Sequence, residues 1–317
     1  MIDALVRDRA DRLTSLKALV VGEALIDEVV DGDRIRRHPG GSPANVALGL
    51  ARLDIETAIH TTIGNDADGR LIYRHLIESG VSVTPRSVTS AHTSKAVAVI
   101  AQDGSAAYQF ALSWNPSHLA DLGSPTLIHS GSLGAFLKPG SRVTGDIIKR
   151  GRDLGALISF DPNIRPSLMP EPDEARASFE ELTSSTHLTK LSDEDAQYLY
   201  PGTPPEKVLD LLLDRGVSVA AITCGAEGAY LASGENRVSI PSVRIRVTDT
   251  VGAGDSFMAA LIWALGFDGP GWDGGPISAD RLESVAEIAA RAAAITVSRP
   301  GADLPNLRDL QASRVRS

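Results

Sequence analysis

The sequence predicts an α/β fold in which helices cover both faces of a mostly parallel central sheet. Short apolar runs alternate with helical patterns over most of the chain, and such alternation is typical of parallel sheets. The 317 residues are 43% apolar and 22% charged, as expected for a globular protein with a sizeable core. Two Asp-Gly dipeptides between short runs interrupt the alternation and predict the hairpins of a smaller, inserted sheet.

The strands of the main sheet are predicted from short apolar runs, and the helices from patterns with a period of about 3.6 residues. Strands are expected over residues 17–21, 156–160, 187–190 and 219–223. Helices are expected over residues 43–53, 68–79, 142–154, 174–183, 193–200, 205–215, 255–265 and 282–297. Proline in the first turn or glycine after the last turn supports several of these helices. Because ligands bind beyond the carboxyl ends of parallel strands, the residues that follow the strands are candidate site residues.

The inserted sheet is predicted from two hairpins that lie far apart in the sequence. One turns at Asp31-Gly32 and the other at Asp103-Gly104. If the hairpins pair, they form a lid beside the main sheet; the alternative is two surface hairpins that never meet. The predicted division is an N-terminal extension over residues 1–16 and one α/β domain over 17–317, with a lid formed by about 28–39 and 94–112.

Composition argues against several classes of protein. The formal net charge is −9, whereas nucleic-acid-binding proteins usually carry a basic surface, so no nucleic-acid partner is expected. No apolar run approaches the ~20 residues that a membrane span needs, and the charged N-terminal residues exclude a signal peptide. The single cysteine, Cys224, cannot form an internal disulfide and favours a reducing compartment, so we expect a cytoplasmic protein.

The most informative segment runs from residue 248 to residue 257. Strand-forming residues precede it and a helical pattern follows, so Gly252, Ala253 and Gly254 are expected at a turn into a helix. Backbone amides at a helix N-terminus, with the helix dipole, bind anions without a lysine. Asp255 would lie in the first helical turn, where its carboxylate can take a proton from a hydroxyl. The alternative is an ordinary glycine-rich turn with Asp255 as a helix cap.

A second segment, residues 39–47, pairs two glycines with the start of a helix. Gly40 and Gly41 allow the backbone to approach a ligand closely. Asn45 follows one turn into the helix, where its side-chain amide can face that ligand. Taken alone this signal is weak, because paired glycines before a helix are common.

Together these two segments resemble the signatures of the ribokinase-like, or PfkB-type, family of carbohydrate kinases, and most closely its fructokinase branch. The first signature is similar to residues 40–47 and the second to residues 249–261. Further segments that resemble the family are residues 22–27, 161–165, 223–228 and 298–302. The resemblance implies a three-layer α/β/α fold with a small β-sheet lid, and a kinase domain over residues 17–317.

The resemblance also implies roles for individual residues. Asp255 would be the catalytic base, and Gly252, Ala253 and Gly254 would form the anion hole for the γ-phosphate of ATP. The residues implied to bind the sugar are Asp27, Gly41, Asn45, Arg165 and Asp255. The residues implied to bind ATP are Thr223, Gly225, Gly228, Gly252 and Gly254. For Arg165 the alternative is a structural ion pair with a carboxylate such as that of Asp161.

Two metal ions follow from the same resemblance. Mg²⁺ would be held largely by phosphate oxygens and water, with Asp195 in its vicinity. Ser192 and Asp195 stand where the family has Asn and Glu. K⁺ would lie beside the anion hole, and its candidate ligands are Asp249 and the carbonyls of Val251, Thr296, Arg299 and Gly301.

The predicted activity is therefore ATP-dependent phosphorylation of a primary hydroxyl of a sugar, with fructose as the first candidate. Ribose, 2-keto-3-deoxygluconate and nucleosides are the alternative acceptors. A non-catalytic sugar or nucleotide sensor on the same fold is an alternative of another class. A nicotinamide-dependent dehydrogenase is disfavoured because Gly22-Glu23-Ala24 follows the first strand in place of Gly-x-Gly-x-x-Gly. Because the lid has an exposed edge, we expect a homodimer that pairs through it.

Overall fold

The computed structural model of the chain describes residues 16–100, 106–266 and 275–312. Almost all of the predicted N-terminal extension and the predicted turn at Asp103-Gly104 lie outside these ranges. In chain order the strands are β1 (Lys17–Val21), β2 (Leu25–Asp31), β3 (Arg34–Gly40), β4 (Glu56–His60), β5 (Ile63–Gly64), β6 (Val81–Val83), β7 (Val88–Thr89), β8 (Lys95–Ile100), β9 (Ala106–Ala111), β10 (Leu127–Gly131), β11 (Leu157–Asp161), β12 (Leu188–Ser192), β13 (Val219–Thr223), β14 (Ala229–Ser233) and β15 (Asn236–Ile240). The helices are α1 (Ser42–Arg52), α2 (Ala67–Glu78), α3 (Ser132–Phe136), α4 (Gly140–Asp153), α5 (Pro172–Thr183), α6 (Asp193–Leu199), α7 (Pro205–Asp214), α8 (Ala253–Leu265), α9 (Ala279–Val297) and α10 (Leu307–Ala312).

Within the described ranges the main sheet has nine strands, in the order β15-β14-β13-β12-β11-β10-β1-β4-β6. The pairings from β13 to β6 are parallel, and β14 and β15 add an antiparallel edge. The prediction of a mostly parallel sheet is confirmed. The apolar runs predict four of these nine strands, β1, β11, β12 and β13, and do not predict β4, β6, β10, β14 or β15. In β4 and β10 the short run includes a buried histidine, His60 or His129, which weakens the apolar pattern.

Helices cover both faces of this sheet, as predicted. Apolar side chains of α1, α8 and α9 form one core with inward-facing residues of β1, β12 and β13. On the opposite face, α5, α6 and α7 pack on β11, β12 and β13, while α4 packs on β1, β10 and β11. The carboxyl ends of the parallel strands therefore open at one edge between two helical layers.

The small sheet joins the two predicted hairpins, so the alternative in which they never meet is wrong. Its strand order is β3-β2-β8-β9, with β2 and β8 parallel and both outer pairs antiparallel. Because β2 follows β1 after three residues, the small sheet begins beside the carboxyl end of the main sheet. Asp27 lies in β2 opposite His38 in β3.

The segment before the glycine-rich turn was expected to be a strand because of its strand-forming residues, and this expectation is wrong. Residues 243–247 have strand-forming side chains but form no strand, and they lead into the glycine-rich segment as irregular backbone. Instead, the Thr248 amide donates to Val297 O at 2.7 Å, which ties this segment to the end of α9. Several of its side chains are exposed, including Ile245 and Val247. They are not buried against a neighbouring strand, so their β-forming character does not produce a strand here.

The described helices also bear on the membrane prediction. In the part of the chain that the structure describes, no helix combines the length and the apolar character that a membrane span requires.

Candidate active site

The predicted anion hole lies at the N-terminus of α8. Gly252 caps this helix with φ 78°, a left-handed conformation that glycine adopts without strain. Ser256 N donates to Gly252 O at 2.8 Å, and Ala253 N makes a longer contact of 3.3 Å with Thr250 O. The first amides of a helix lack partners within the helix, so the backbone here can hold an anion.

Asp255 lies in the first turn of α8 and is held by two side chains of α1. Its side chain is buried, Ser42 Oγ donates to Asp255 Oδ1 at 2.6 Å, and Asn45 Nδ2 donates to Asp255 Oδ2 at 2.8 Å. The two glycine-rich segments, more than 200 residues apart in sequence, thus meet at one carboxylate. Sequence reasoning assigned Asn45 to the sugar and missed Ser42.

We expect Ser42→Ala to lower kcat about 10- to 100-fold and to leave the KM for the sugar nearly unchanged. The serine hydroxyl fixes the carboxylate of the predicted base, and a hydrogen bond to a charged group contributes ~1.5–3 kcal/mol. Asn45→Ala is the comparison, because Asn45 is predicted to line the sugar site and its loss should change kcat and KM together. Steady-state kinetics with both substrates varied measures the two effects. An S42A enzyme with wild-type kcat would show that the contact does not position Asp255.

Asp27 lies at the end of the small sheet nearest the predicted sugar site. Burial raises the pKa of Asp27 to about 6, although Arg165 and His38 oppose the shift and Asp255 adds to it. These electrostatic partners lie near Asp27, so the carboxylate predicted to bind the sugar and the predicted base share one environment. A methyl group built on Gly40 would overlap Asp27 Oδ2, so a larger residue at position 40 would displace the Asp27 carboxylate.

Gly41 has φ 102°, and a methyl group built on it would come within 2.6 Å of Glu23 O. The paired glycines therefore let the backbone before α1 pass close to the loop that follows β1.

Glu23 in that loop is buried, and its Oε2 accepts a hydrogen bond from Gly134 N at 2.8 Å. Burial raises the pKa of Glu23 to about 7. Glu23 thus joins the loop after β1 to α3, the helix that follows β10, and sequence reasoning missed it.

Arg165 follows β11 and is exposed. Its Nη1 donates to Asn163 Oδ1 at 2.8 Å and to two neighbouring carbonyls. The alternative in which Arg165 forms an ion pair with Asp161 is wrong, because Asp161 pairs with Lys190 at 2.9 Å. The positive charge of Arg165 lowers the pKa of Asp27 and so opposes the effect of burial.

The Asp161–Lys190 pair is the third feature that sequence reasoning missed. Both side chains are buried, at 1% and 4% exposure. Lys190 is the last residue of the strand predicted over residues 187–190. A lysine in a buried strand was the available signal, because lysine is almost never fully buried unless it is paired.

The predicted nucleotide loop follows β13, which neighbours β12 in the sheet. Thr223 ends the strand, and its Oγ1 donates to Leu191 O at 3.3 Å. Gly225 and Gly228 have φ of 50° and 108° and flank a 3₁₀ turn. A methyl group built on Gly228 would overlap Ile240 O, so the loop packs tightly against the end of β15.

Asp195 lies at the start of α6, near the predicted Mg²⁺. It forms a capping box with Ser192, and its Oδ1 also accepts from Ile164 N at 2.6 Å. Both carboxylate oxygens are thus bonded to backbone amides, and in the described ranges no group of three or more His, Cys, Asp or Glu side chains is arranged to hold a metal. In this structure Asp195 therefore fixes the loop after β11, and the Mg²⁺ site stays a prediction.

The candidate K⁺ ligands lie in the loop before α8, in the last turn of α9 and in the loop after α9. Asp249 joins the first of these segments to the last. Asp249 Oδ1 accepts from Val251 N at 3.1 Å, and Oδ2 accepts from Gly301 N at 2.9 Å. Thr296 O accepts from Arg299 N at 3.0 Å, which leaves one lone pair of that carbonyl for a ligand. The carboxylate and carbonyl oxygens of this set are the hard donors that an alkali cation needs.

The chain resembles known proteins along most of its length. The model of the pfkB family of carbohydrate kinases matches residues 14–309. A fructokinase of Rhizobium leguminosarum bv. trifolii is 30% identical over 262 residues, which cover 79% of this chain and 80% of that protein. The crystal structure of a Xylella fastidiosa fructokinase with bound ATP is 25% identical, with a TM-score of 0.79, and the match covers 93% of this chain and 97% of that one. A double mutant of Vibrio cholerae fructokinase, in a form with bound fructose, ADP and potassium ion, is 25% identical with a TM-score of 0.80, covering 96% and 99%.

Proposed function

The chain belongs to the PfkB family of carbohydrate kinases, and from this premise we propose that it transfers the γ-phosphoryl group of ATP to a primary hydroxyl of fructose. The observation that carries the proposal is Asp255, a buried carboxylate held by Ser42 and Asn45 at the N-terminus of α8. The choice of fructose is supported by relatives named fructokinases and by a related structure with fructose bound.

The site residues divide the reaction between them. The sugar hydroxyl loses its proton to an oxygen of Asp255, and its oxygen forms a bond to the γ-phosphorus of ATP. The bond from that phosphorus to the β–γ bridging oxygen breaks, and ADP leaves with the electron pair. The amides at the start of α8 stabilise the negative charge of the transferring group. Asp27 accepts hydrogen bonds from sugar hydroxyls and orients the acceptor.

ATP would lie along the carboxyl edge of the main sheet, between the loop after β13 and the start of α8. Thr223, Gly225 and Gly228 would contact the nucleotide, and Gly252 and Gly254 its γ-phosphate. Mg²⁺ would neutralise phosphate charge when bound, and K⁺ would lie at Asp249 beside the anion hole. The related structure with bound potassium ion supports the K⁺ assignment.

The small sheet is proposed to act as the lid of this site. Its strand β2 carries Asp27, so closure over the sugar would exclude water that otherwise competes as acceptor. Ile35 and Phe110 on the same sheet are partly exposed apolar side chains, which supports pairing with a second copy. The homodimer and the cytoplasmic location stay predictions.

A phosphorylation assay across several acceptors tests the proposed substrate. With ATP, Mg²⁺ and K⁺, kcat/KM should be highest for fructose and lower for ribose, 2-keto-3-deoxygluconate and a nucleoside. A different preferred acceptor would overturn the choice of fructose but not the kinase activity. Sugar and nucleotide binding without turnover of any acceptor would instead favour the non-catalytic sensor.

We expect kcat/KM for fructose to fall as the pH drops through about 6. The raised pKa of Asp27 means that protonation begins in mildly acidic solution, and the neutral acid loses the charge with which the carboxylate accepts hydrogen bonds. Asp27→Asn should lower kcat/KM about 10- to 100-fold well above pH 6. This factor is expected because a hydrogen bond to a charged group contributes ~1.5–3 kcal/mol. The ratio of wild type to D27N should then narrow as the pH falls, because both proteins become neutral at this position. A ratio that is independent of pH would contradict the role of ionised Asp27.

A further inference from the structure

A lysine lies in the interior of the main sheet, beneath the start of α8. Lys190 belongs to β12, and its Nζ donates to Asp161 Oδ2 of β11 at 2.9 Å. A methyl group built on Gly254 would come within 3.0 Å of the same Nζ. The ammonium group therefore lies against the backbone of the anion hole, on its inner side.

The ammonium group is surrounded by carboxylates and stays charged. Burial lowers the pKa of Lys190, but attraction to Asp161, Asp195 and Asp255 outweighs burial and raises the pKa above its usual value. Two of these carboxylates belong to the predicted catalytic and metal-linked groups. A buried ion pair is often no more stabilising than apolar side chains of the same volume, so stability alone is a poor reason for a lysine here.

Lys190 continues a row of polar side chains on one face of the sheet. His129 Nδ1 lies 3.0 Å from Ser159 Oγ, and Ser159 shares its strand face with Asp161. Burial, with a smaller contribution from Lys190, lowers the pKa of His129 to about 3, so this imidazole is neutral. Of the polar side chains named in this row, Lys190 is therefore the one that carries a positive charge.

We propose that Lys190 is a positioning residue for phosphoryl transfer, whose ammonium group, anchored by Asp161, adds positive charge to the anion hole through the backbone of Gly254. The inference rests on the proposed function. Phosphoryl transfer depends mainly on positioning and on stabilising the charge of the transferring group, and a fixed charge needs no rearrangement during the reaction. Asp161 supplies this fixation because its carboxylate is itself buried in the sheet.

Two variants separate this role from a merely structural ion pair. Lys190→Met combined with Asp161→Asn removes both charges, so no buried charge is left without a partner. Asp161→Asn alone is the matched control, because it breaks the ion pair but keeps the ammonium group and an oxygen that can accept from it. The readouts are kcat, the affinity for Mg-ADP, and the affinity for Mg-ADP with aluminium fluoride, which mimics the transferring phosphoryl group.

We expect the double variant to lose more kcat than D161N. The double variant should lose about 100-fold in kcat and a similar factor in affinity for the aluminium fluoride complex, with Mg-ADP affinity unchanged, as expected for loss of one stabilising group in an anion hole. D161N should lose only about tenfold in kcat, because the ammonium group stays beside Gly254 but loses the carboxylate that anchors it. Equal losses in D161N and the double variant, wild-type kcat in the double variant, or its failure to fold would overturn the proposal. Absence of turnover in the wild-type protein would instead count against the proposed function.

Discussion

Asp255→Asn should lower kcat by about 10²–10⁴, the usual contribution of a positioned general base. The amide cannot take the proton of the sugar hydroxyl, although its oxygen can still accept from Ser42 Oγ, which now donates to Asp255 Oδ1 at 2.6 Å. Sugar and ADP should therefore bind with affinities near those of the wild type. Steady-state kinetics and calorimetric titration measure the two quantities.

The thermal midpoint of D255N serves as the control for folding. The carboxylate is buried and accepts hydrogen bonds from Ser42 and Asn45, so a modest change in the midpoint is expected. A folded D255N protein with kcat within tenfold of the wild type would remove Asp255 from the role of base. The anion hole and the metal ions would then have to account for catalysis.

Gly252→Ala should lower kcat by about 10²–10³, which is the usual cost of losing one donor from an anion hole. Gly252 has φ 78°, where a side chain is strained by ~1–2 kcal/mol, and a methyl group built there would lie 2.8 Å from Ala302 Cβ. Either the first turn of α8 or the loop at Ala302 must shift to relieve this contact, and we expect the strained φ at residue 252 to move the helix turn. The amides that face the γ-phosphate would shift with it.

Gly202→Ala is the matched control for Gly252→Ala. Gly202 has φ 73°, close to that of Gly252, but a methyl group built on it meets no heavy atom within 4 Å. G202A should therefore show the cost of the left-handed backbone in thermal unfolding and leave kcat unchanged. Equal losses of kcat in the two variants, or wild-type kcat in G252A, would show that the geometry at residue 252 does not set the rate.

Most of the described helices were predictable from the sequence, but only four of the nine strands of the main sheet were. Apolar runs and glycine or proline at helix ends identify β1, β13 and most helices to within a few residues. The pattern fails where polar side chains are buried, as in β4 and β10, because their partners come from distant parts of the chain. His60 illustrates this, since its ring nitrogens contact Thr84 and Ser117. The pattern fails again at residues 243–247, where β-forming side chains face solvent.

The candidate site was predictable where backbone conformation requires a particular residue type. Gly41 and Gly252 have positive φ, and their patterns stand out in the sequence. Contacts between distant segments were not predictable, and these fix the predicted base and the anion hole. Ser42 meets Asp255 across 213 positions, and Lys190 meets Asp161 and Gly254 only because β11, β12 and α8 converge.

The site built around Asp255 is proposed to transfer the γ-phosphoryl group of ATP to a sugar hydroxyl. Incubation with ATP labelled at the γ-phosphorus, fructose, Mg²⁺ and K⁺ tests it most directly, with product analysis by mass spectrometry and ¹³C NMR. The label should appear in fructose phosphate at a primary hydroxyl, with one ADP formed per phosphate transferred and little labelled inorganic phosphate. Label found only in inorganic phosphate, or left in ATP with every sugar acceptor tried, would contradict the account.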